Sequence, residues 1–264
     1  MKFLFLFFNI FIFIGCQSKN YYPEPIIDGK WFKPKIKDSW QWQLSSKVNT
    51  TYDVDIYDID LFDSNKSLIN NLHQDGKKVI CYFSAGSYEE WREDKDSFPK
   101  STLGKELDGW KGERWLDIRD SSILDIMKRR LSLAVKKGCD GVEPDNVDAY
   151  TNDSGFSLNA QDQLFFNKTL ANEAHKLGLS IALKNSMDQI QELEPYFDFI
   201  INEQCHKYNE CDILSIFIKN NKPVFNIEYN KKNKKNICLD AKKRKFQTLI
   251  LPLELNDKFR ISCQ

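Results

Sequence analysis

The sequence predicts a single (β/α)8 barrel, and three observations carry that prediction. Short apolar runs alternate with amphipathic helical stretches along most of the 264 residues. Eight such runs can be read as strands, the number that closes this barrel. Acidic and amide residues gather at the C-terminal ends of these runs, where barrel enzymes carry their chemistry.

Before the first strand, Met1-Lys2 and the apolar run from Phe3 to Ile14 have the layout of a secretory leader. The run is too short for a permanent membrane span. The junction Phe13-Ile14-Gly15-Cys16 resembles a bacterial lipoprotein box, with Phe13 where leucine is commonest. Residues 1–16 are therefore expected to be a leader and Cys16 the lipidated residue of a secreted, membrane-anchored protein; an ordinary cleaved signal is the alternative. Residues 17–36 are polar, contain three prolines and lack periodicity, so they read as a tether. The barrel is expected over 37–264.

The expected strands are 40–44, 54–61, 78–84, 115–118, 139–145, 179–185, 197–203 and 223–229. Helices are expected at 67–75, 123–137 and 160–177, each followed by a glycine suited to a left-handed C-cap and then at once by a strand. An open dinucleotide-binding sheet is disfavoured because no glycine-rich phosphate fingerprint follows the first strand, and no cofactor is expected.

The segment Gly141-Val142-Glu143-Pro144-Asp145-Asn146-Val147-Asp148 is the most informative in the chain. Carboxylates are costly to bury, so a strand delivering several of them points to a polar pocket at its end. The segment Phe199-Ile200-Ile201-Asn202-Glu203-Gln204-Cys205 repeats the design. Period-two alternation puts Glu143 and Asp145 on one face and Ile201 and Glu203 on another. If both faces point inward, Asp145 and Glu203 meet at the barrel mouth, and Glu143 lies a layer deeper with Lys184 as its partner. Two such carboxylates suit glycoside hydrolysis: roughly 5 Å apart in retaining enzymes and roughly 6.5–9.5 Å in inverting ones. The bland reading, Asp145 and Asp148 as helix caps, explains Asp148 well and Glu203 poorly.

The six cysteines after Cys16 suit an oxidising compartment. Their spacing suggests the pairs Cys205–Cys211 and Cys238–Cys263, with Cys81 and Cys139 as buried free thiols. No Cys-x-x-Cys pair occurs and the three histidines are scattered, so no metal site is expected. The 38 basic residues balance 38 acidic ones, which argues against a nucleic-acid surface; the lysine-rich stretches near 231–235 and 242–245 lack interleaved aromatics. Of six tryptophans, Trp42 and Trp91 are the expected sugar-stacking platforms.

Several of these segments together resemble glycoside hydrolase family 114. They are Trp40-Gln41-Trp42-Gln43-Leu44, the stretches 57–63 and 79–92, Pro144-Asp145-Asn146, Ala182-Leu183-Lys184-Asn185, Asn202-Glu203-Gln204 and Phe225-Asn226-Ile227-Glu228-Tyr229. The resemblance runs in family order from about Trp40 to Tyr229. It implies a (β/α)8 barrel with endo-α-1,4-polygalactosaminidase activity and Asp145 and Glu203 as the catalytic acids; of the two, Asp145 is read here as nucleophile and Glu203 as general acid/base, with the opposite split as the alternative. Such a substrate is cationic, and Asp58, Asp60, Glu90, Asp148 and Glu228 would attract it. Tyr82, Arg92, Asn146, Tyr150, Lys184, Asn185 and Tyr229 are expected to position hydroxyls and carboxylates. The expected partner is this polysaccharide, bound by a monomeric enzyme. The rival readings are an endoglycosidase of other amino-sugar specificity and a surface lipoprotein that binds polysaccharide without cutting it.

Overall fold

A computed structural model describes residues 22–264. The expected leader and Cys16 lie outside the described residues. Strands β1 (Trp40–Gln43), β2 (Ile56–Asp60), β3 (Lys78–Ser84), β7 (Gly141–Asp145), β8 (Ser180–Lys184), β9 (Phe199–Glu203), β10 (Val224–Glu228) and β11 (Gln247–Ile250) form a curled parallel sheet in that order. A short antiparallel β12 (Ile261–Ser262) edges β11. Among the described residues no strand ladder joins β1 to β11, but side chains bridge this seam. Trp40 Nε1 donates to the Gln247 carbonyl at 2.8 Å, and Arg260 Nη2 donates to the Trp40 carbonyl at 2.8 Å. The fold is a single-domain (β/α) barrel.

Alternation along the strands builds two apolar layers. Ile80, Ala182, Phe199, Ile201 and Leu249 fill the barrel interior. Their neighbours Val79, Cys81, Ile181, Leu183, Ile200 and Ile250 pack outward under the helices. The longer helices are α1 (Lys66–Gln74), α2 (Ser121–Lys137), α3 (Ala160–Lys176) and α7 (Lys234–Arg244), with short α4 (Ile190–Leu193), α5 (Cys205–Tyr208) and α6 (Ser215–Lys219). Asn65, Asp120 and Asn159 cap α1, α2 and α3 through side-chain oxygens, and Gly138 closes α2 at φ 95°.

The structure corrects the expected strand at 115–118, which is no barrel stave. It belongs to an excursion between β3 and α2, in which β4 (Ser87–Glu89), β5 (Leu103–Leu107) and β6 (Trp110–Leu116) form a separate antiparallel sheet in the order β4-β6-β5. Leu107 pairs with Trp110 across the two-residue turn Asp108-Gly109, a hairpin signal that the sequence carries. The eighth stave is β11, whose brevity and polar Gln247 and Thr248 hide it in the sequence.

The same misplacement explains the cysteines. Among the described residues there are three disulfides: Cys205–Cys211, Cys238–Cys263 and Cys81–Cys139. Cys81 and Cys139 are therefore not free thiols. With no stave between β3 and β7, these strands are direct neighbours. Cys81 and the residue run leading into β7 then face the same outer layer, with the two Cα atoms 6.0 Å apart.

From Tyr22 onward the expected tether is docked. Asn172 on α3 bonds Ile26 N at 2.9 Å and the Glu24 carbonyl at 2.7 Å, and Tyr196 Oη donates to the Pro23 carbonyl at 2.6 Å. Trp31 stacks on His175 with ring centroids 4.2 Å apart. These polar groups satisfy an otherwise unpaired backbone.

Candidate active site

Three adjacent strands, β7, β8 and β9, end on Asp145, Lys184 and Glu203. Each is followed by a residue in the left-handed region: Asn146 at φ 59°, Asn185 at 47° and Gln204 at 65°. Asparagine visits this region readily, whereas Gln204 costs roughly 1–2 kcal/mol there. Its amide bond to the Ile227 carbonyl at 2.7 Å helps hold it. The chain thus turns sharply off the sheet after each functional group, leaving all three side chains at the barrel mouth.

Lys184 Nζ joins them. It lies 2.9 Å from Glu143 Oε1, 3.3 Å from Asp145 Oδ2 and 3.4 Å from Glu203 Oε2, over the Trp42 ring at 4.8 Å. Burial alone would lower the lysine's pKa. The charges of Asp145, Glu143 and Glu203 outweigh that and hold it well above its ordinary value. Asp145 also accepts from Tyr82 Oη at 3.1 Å and from Asn146 N at 2.7 Å. Glu203 accepts from Tyr229 Oη and, at 3.4 Å, from Asn185 Nδ2. Burial, then the neighbouring Asp145 or Glu203, raises both tyrosines strongly, so each remains a hydrogen-bond donor.

Below this layer, Glu143 is fully buried and accepts from Trp42 Nε1 at 2.8 Å. Asp58 is equally buried, and its oxygens have no hydrogen-bond donor among the described residues. Burial first, and the Glu143 charge second, raise Asp58 well above the usual carboxyl range. Burial first raises Glu143 as well, to about 7, against the opposing pull of the Lys184 charge and the Trp42 indole.

A cavity of about 590 Å³ opens over Asp145, Lys184 and Glu203. Its floor includes Trp42 and Tyr82, and the β5–β6 hairpin supplies a wall with Asp108, Trp110, Glu113 and Trp115. Trp110 is 53% exposed. Glu113 accepts from Ser87 Oγ at 3.0 Å, and burial, then Glu89, raise its pKa to about 7. Burial, then Asp145, raise Asp148 to about 6.

Of the expected site residues, Trp42, Tyr82, Asp145, Asn146, Asp148, Lys184, Asn185, Glu203 and Tyr229 line this cleft. Trp42, however, is only 2% exposed and props Glu143, so it is floor rather than platform. Tyr150 lines a neighbouring cavity. The others are corrections. Asp60 and Arg92 are absent from the cleft lining and form a buried bidentate pair at 2.7 and 3.0 Å that anchors the excursion. Glu90 lies on the outer side of the hairpin beside Gly112, and Trp91 is half exposed outside the cleft. Glu228 accepts from His206 N at 2.8 Å and fixes the turn after Glu203. Asp58 lies beneath the floor and cannot touch a ligand. Among the cleft residues not foreseen, Glu113, Trp110 and Asp108 sit on the hairpin that the Asp108-Gly109 dipeptide would have signalled, whereas Asn152, Asp153, Gln204, Leu253 and Leu255 come from other loops.

The chain matches Glycoside-hydrolase family GH114 over residues 24–264. Its structure is similar to that of Aspergillus fumigatus Ega3 in complex with galactosamine, at 43% identity and a TM-score of 0.85, covering 92% of this chain and all of Ega3's. The glycoside hydrolase domain of PelA from Pseudomonas aeruginosa shares the fold at 12% identity and a TM-score of 0.67, covering 85% of this chain and 98% of that one. So does the trehalulose synthase MutB from Pseudomonas mesoacidophila, at 8% identity and 0.54, over 73% and 57% of the two chains. No curated protein matches the chain significantly. A family match over nearly the whole chain, with paired carboxylates at the mouth of the expected barrel, leads to one conclusion: the chain belongs to Glycoside-hydrolase family GH114 and is a glycoside hydrolase.

Proposed function

We propose that this protein is a retaining endo-α-1,4-polygalactosaminidase with Asp145 as nucleophile and Glu203 as general acid/base. The observation that carries the pair is one buried ammonium, Lys184, touching both carboxylates. Their nearest oxygens can be no farther apart than contacts of 3.3 and 3.4 Å laid end to end. That proximity is compatible with the roughly 5 Å separation of retaining pairs. Asp145 attacks the anomeric carbon as Glu203 protonates the departing glycosidic oxygen. Glu203, now a base, takes a proton from water, which displaces Asp145 and restores both groups. Three donors around Asp145, from Tyr82, Lys184 and Asn146, support its role as the acceptor-only carboxylate.

The similarity to Ega3 in complex with galactosamine supports an amino-sugar substrate. So does the cleft, where Asp108, Glu113 and Asp148 add negative charge around the pair. Three disulfides and the leader-like residues 1–16 support secretion, and Cys16 is the candidate lipid anchor.

The test is incubation of the purified protein with α-1,4-galactosamine polymer, fully de-N-acetylated or fully N-acetylated. Shorter oligosaccharides are expected from the first. Cleavage of the acetylated polymer alone would overturn the reading. The pH dependence is a second readout. Asp148 and Glu113, raised to about 6 and about 7, ionise as pH rises through that range. KM for the cationic polymer is therefore expected to fall between pH 5 and 7.5. Folding stability should move the other way: the folded state holds protons that the unfolded chain releases above about pH 4. Their stabilising contribution is lost as pH rises through 6 to 7.

A further inference from the structure

Strands β9, β10 and β11 turn Ile200, Val224 and Ile250 outward into the apolar layer beneath the helices. Two residues along each strand, in that same layer, stand Asn202, Asn226 and Thr248, each 1% exposed or less. They share one level of the sheet, because Asn226 is in register with Asn202 on one side and with Thr248 on the other. Polar side chains in such a layer are costly unless they bond one another. Thr248 Oγ1 donates to Asn226 Oδ1 at 3.0 Å, Asn226 Nδ2 to Asn202 Oδ1 at 3.1 Å, and Asn202 Nδ2 to Asn185 Oδ1 at 3.3 Å. Asn185 ends the row on Glu203: its Oδ1 takes the Glu203 backbone N–H at 2.9 Å, and its Nδ2 donates to Glu203 Oε2 at 3.4 Å.

Backbone groups at both ends fix the direction of every amide in this row. The Glu203 N–H can only donate, so Asn185 must meet it with oxygen and turn its N–H2 to the carboxyl. The same Asn185 oxygen takes Asn202 Nδ2, which leaves Asn202 Oδ1 to accept from Asn226. At the other end Asn226 Nδ2 also lies 3.3 Å from the Asn202 carbonyl, which can only accept, so Asn226 Oδ1 faces Thr248. Flipping any one amide would set like groups against each other on both sides. Four adjacent staves thus carry one chain of donors that ends on Glu203, and hydrogen bonds aligned in this way reinforce one another.

We infer that Asn202 and Asn226, backed by Thr248, are positioning residues for general acid/base catalysis: the row locks the Asn185 amide so that the Glu203 carboxyl keeps one orientation while it gives up a proton and takes one back. Lys184 and Tyr229 contact the same carboxyl, but Asn185 binds its side chain and its backbone together. Asn226 and Thr248 are fully buried, so they act on the reaction only through this row. The inference rests on the reading of Glu203 as general acid/base and deepens it. Leucine and valine would fill the same layer without any polar group to satisfy, and replacing both partners of a buried hydrogen bond by apolar groups is often nearly neutral for stability.

The test uses the Asn202→Leu/Asn226→Leu double variant and, separately, Thr248→Val, which swaps the hydroxyl at the far end for a methyl of the same shape. Each is checked for folding by circular dichroism and assayed on α-1,4-galactosaminan and on an aryl galactosaminide. The double variant is expected to lower kcat on the polymer by roughly tenfold, the rate equivalent of one hydrogen bond, with KM changed less than about threefold. Its kcat/KM on the aryl substrate, whose leaving group needs no proton, should stay within about threefold of wild type. Thr248→Val is expected to show the same selective loss on a smaller scale, roughly twofold to threefold in kcat on the polymer. Equal losses on both substrates would mean that the row merely supports the barrel, and an unchanged kcat in both variants would likewise overturn the inference. Either result leaves the acid/base reading intact provided that the aryl substrate rescues Glu203→Gln. Failure of that rescue would overturn the reading and the inference together.

Discussion

Asp145→Asn and Glu203→Gln are each expected to lower turnover on α-1,4-galactosaminan by roughly 10³-fold or more while the protein stays folded and still binds polymer. Both replacements keep shape and hydrogen-bonding capacity but remove the nucleophile or the transferable proton. The two variants should also differ from one another. An activated leaving group needs no proton, so an aryl galactosaminide should recover much of the loss in Glu203→Gln and none in Asp145→Asn. The readings are kcat on polymer and on aryl substrate, with binding followed by pull-down. Near-wild-type cleavage by either folded variant would remove that residue from the mechanism.

Lys184→Met is expected to have the largest effect on stability. Lys184 is the only cation in ion-pair contact with Glu143 among the described residues, and Glu143 is fully buried. Removing one partner of a buried ion pair costs about 3–5 kcal/mol. Lys184 pulls the pKa of Glu143 down, so loss of the ammonium raises it further in the folded state. A carboxyl raised in the folded state contributes stability at low pH and loses it as pH rises through its folded value. Urea denaturation should therefore show a deficit near pH 7 that shrinks toward pH 5. An equal deficit at both would mean that Lys184 acts through packing and not through charge. Activity should fall as well, since the same ammonium holds both proposed catalytic carboxylates.

Much of this arrangement is legible in the sequence. Inward alternation at Glu143, Asp145 and Glu203 follows from a period of two, and the Lys184–Glu143 pair follows from the cost of burying either alone. The left-handed residues after the three strands are also visible as Asp145-Asn146, Lys184-Asn185 and Glu203-Gln204, although their backbone geometry is not. What the sequence hides is adjacency. The run at 115–118 has strand composition because β6 packs Trp115 against Leu107 and Ala149 while Leu116 and Ile118 enter the main apolar layer under the helices. Counting it as a stave separates β3 from β7, and that one error both conceals the Cys81–Cys139 bridge and leaves β11 uncounted. The acidic residues mislead for a related reason. Asp60, Glu90 and Glu228 lie at strand ends or loops near the mouth, but whether such a carboxylate meets ligand or a neighbouring Arg92 or His206 depends on contacts distant in sequence.

The central claim is that Asp145 and Glu203, held together by Lys184, cut an α-galactosaminide through a covalent intermediate on Asp145. Proton NMR of the reducing ends released in the first minutes of wild-type hydrolysis, before mutarotation, tests it most directly. The new ends are expected to appear as the α anomer and to equilibrate toward β only later. Reducing ends that appear first as β would place a water between the two carboxylates and rule out a covalent intermediate on Asp145.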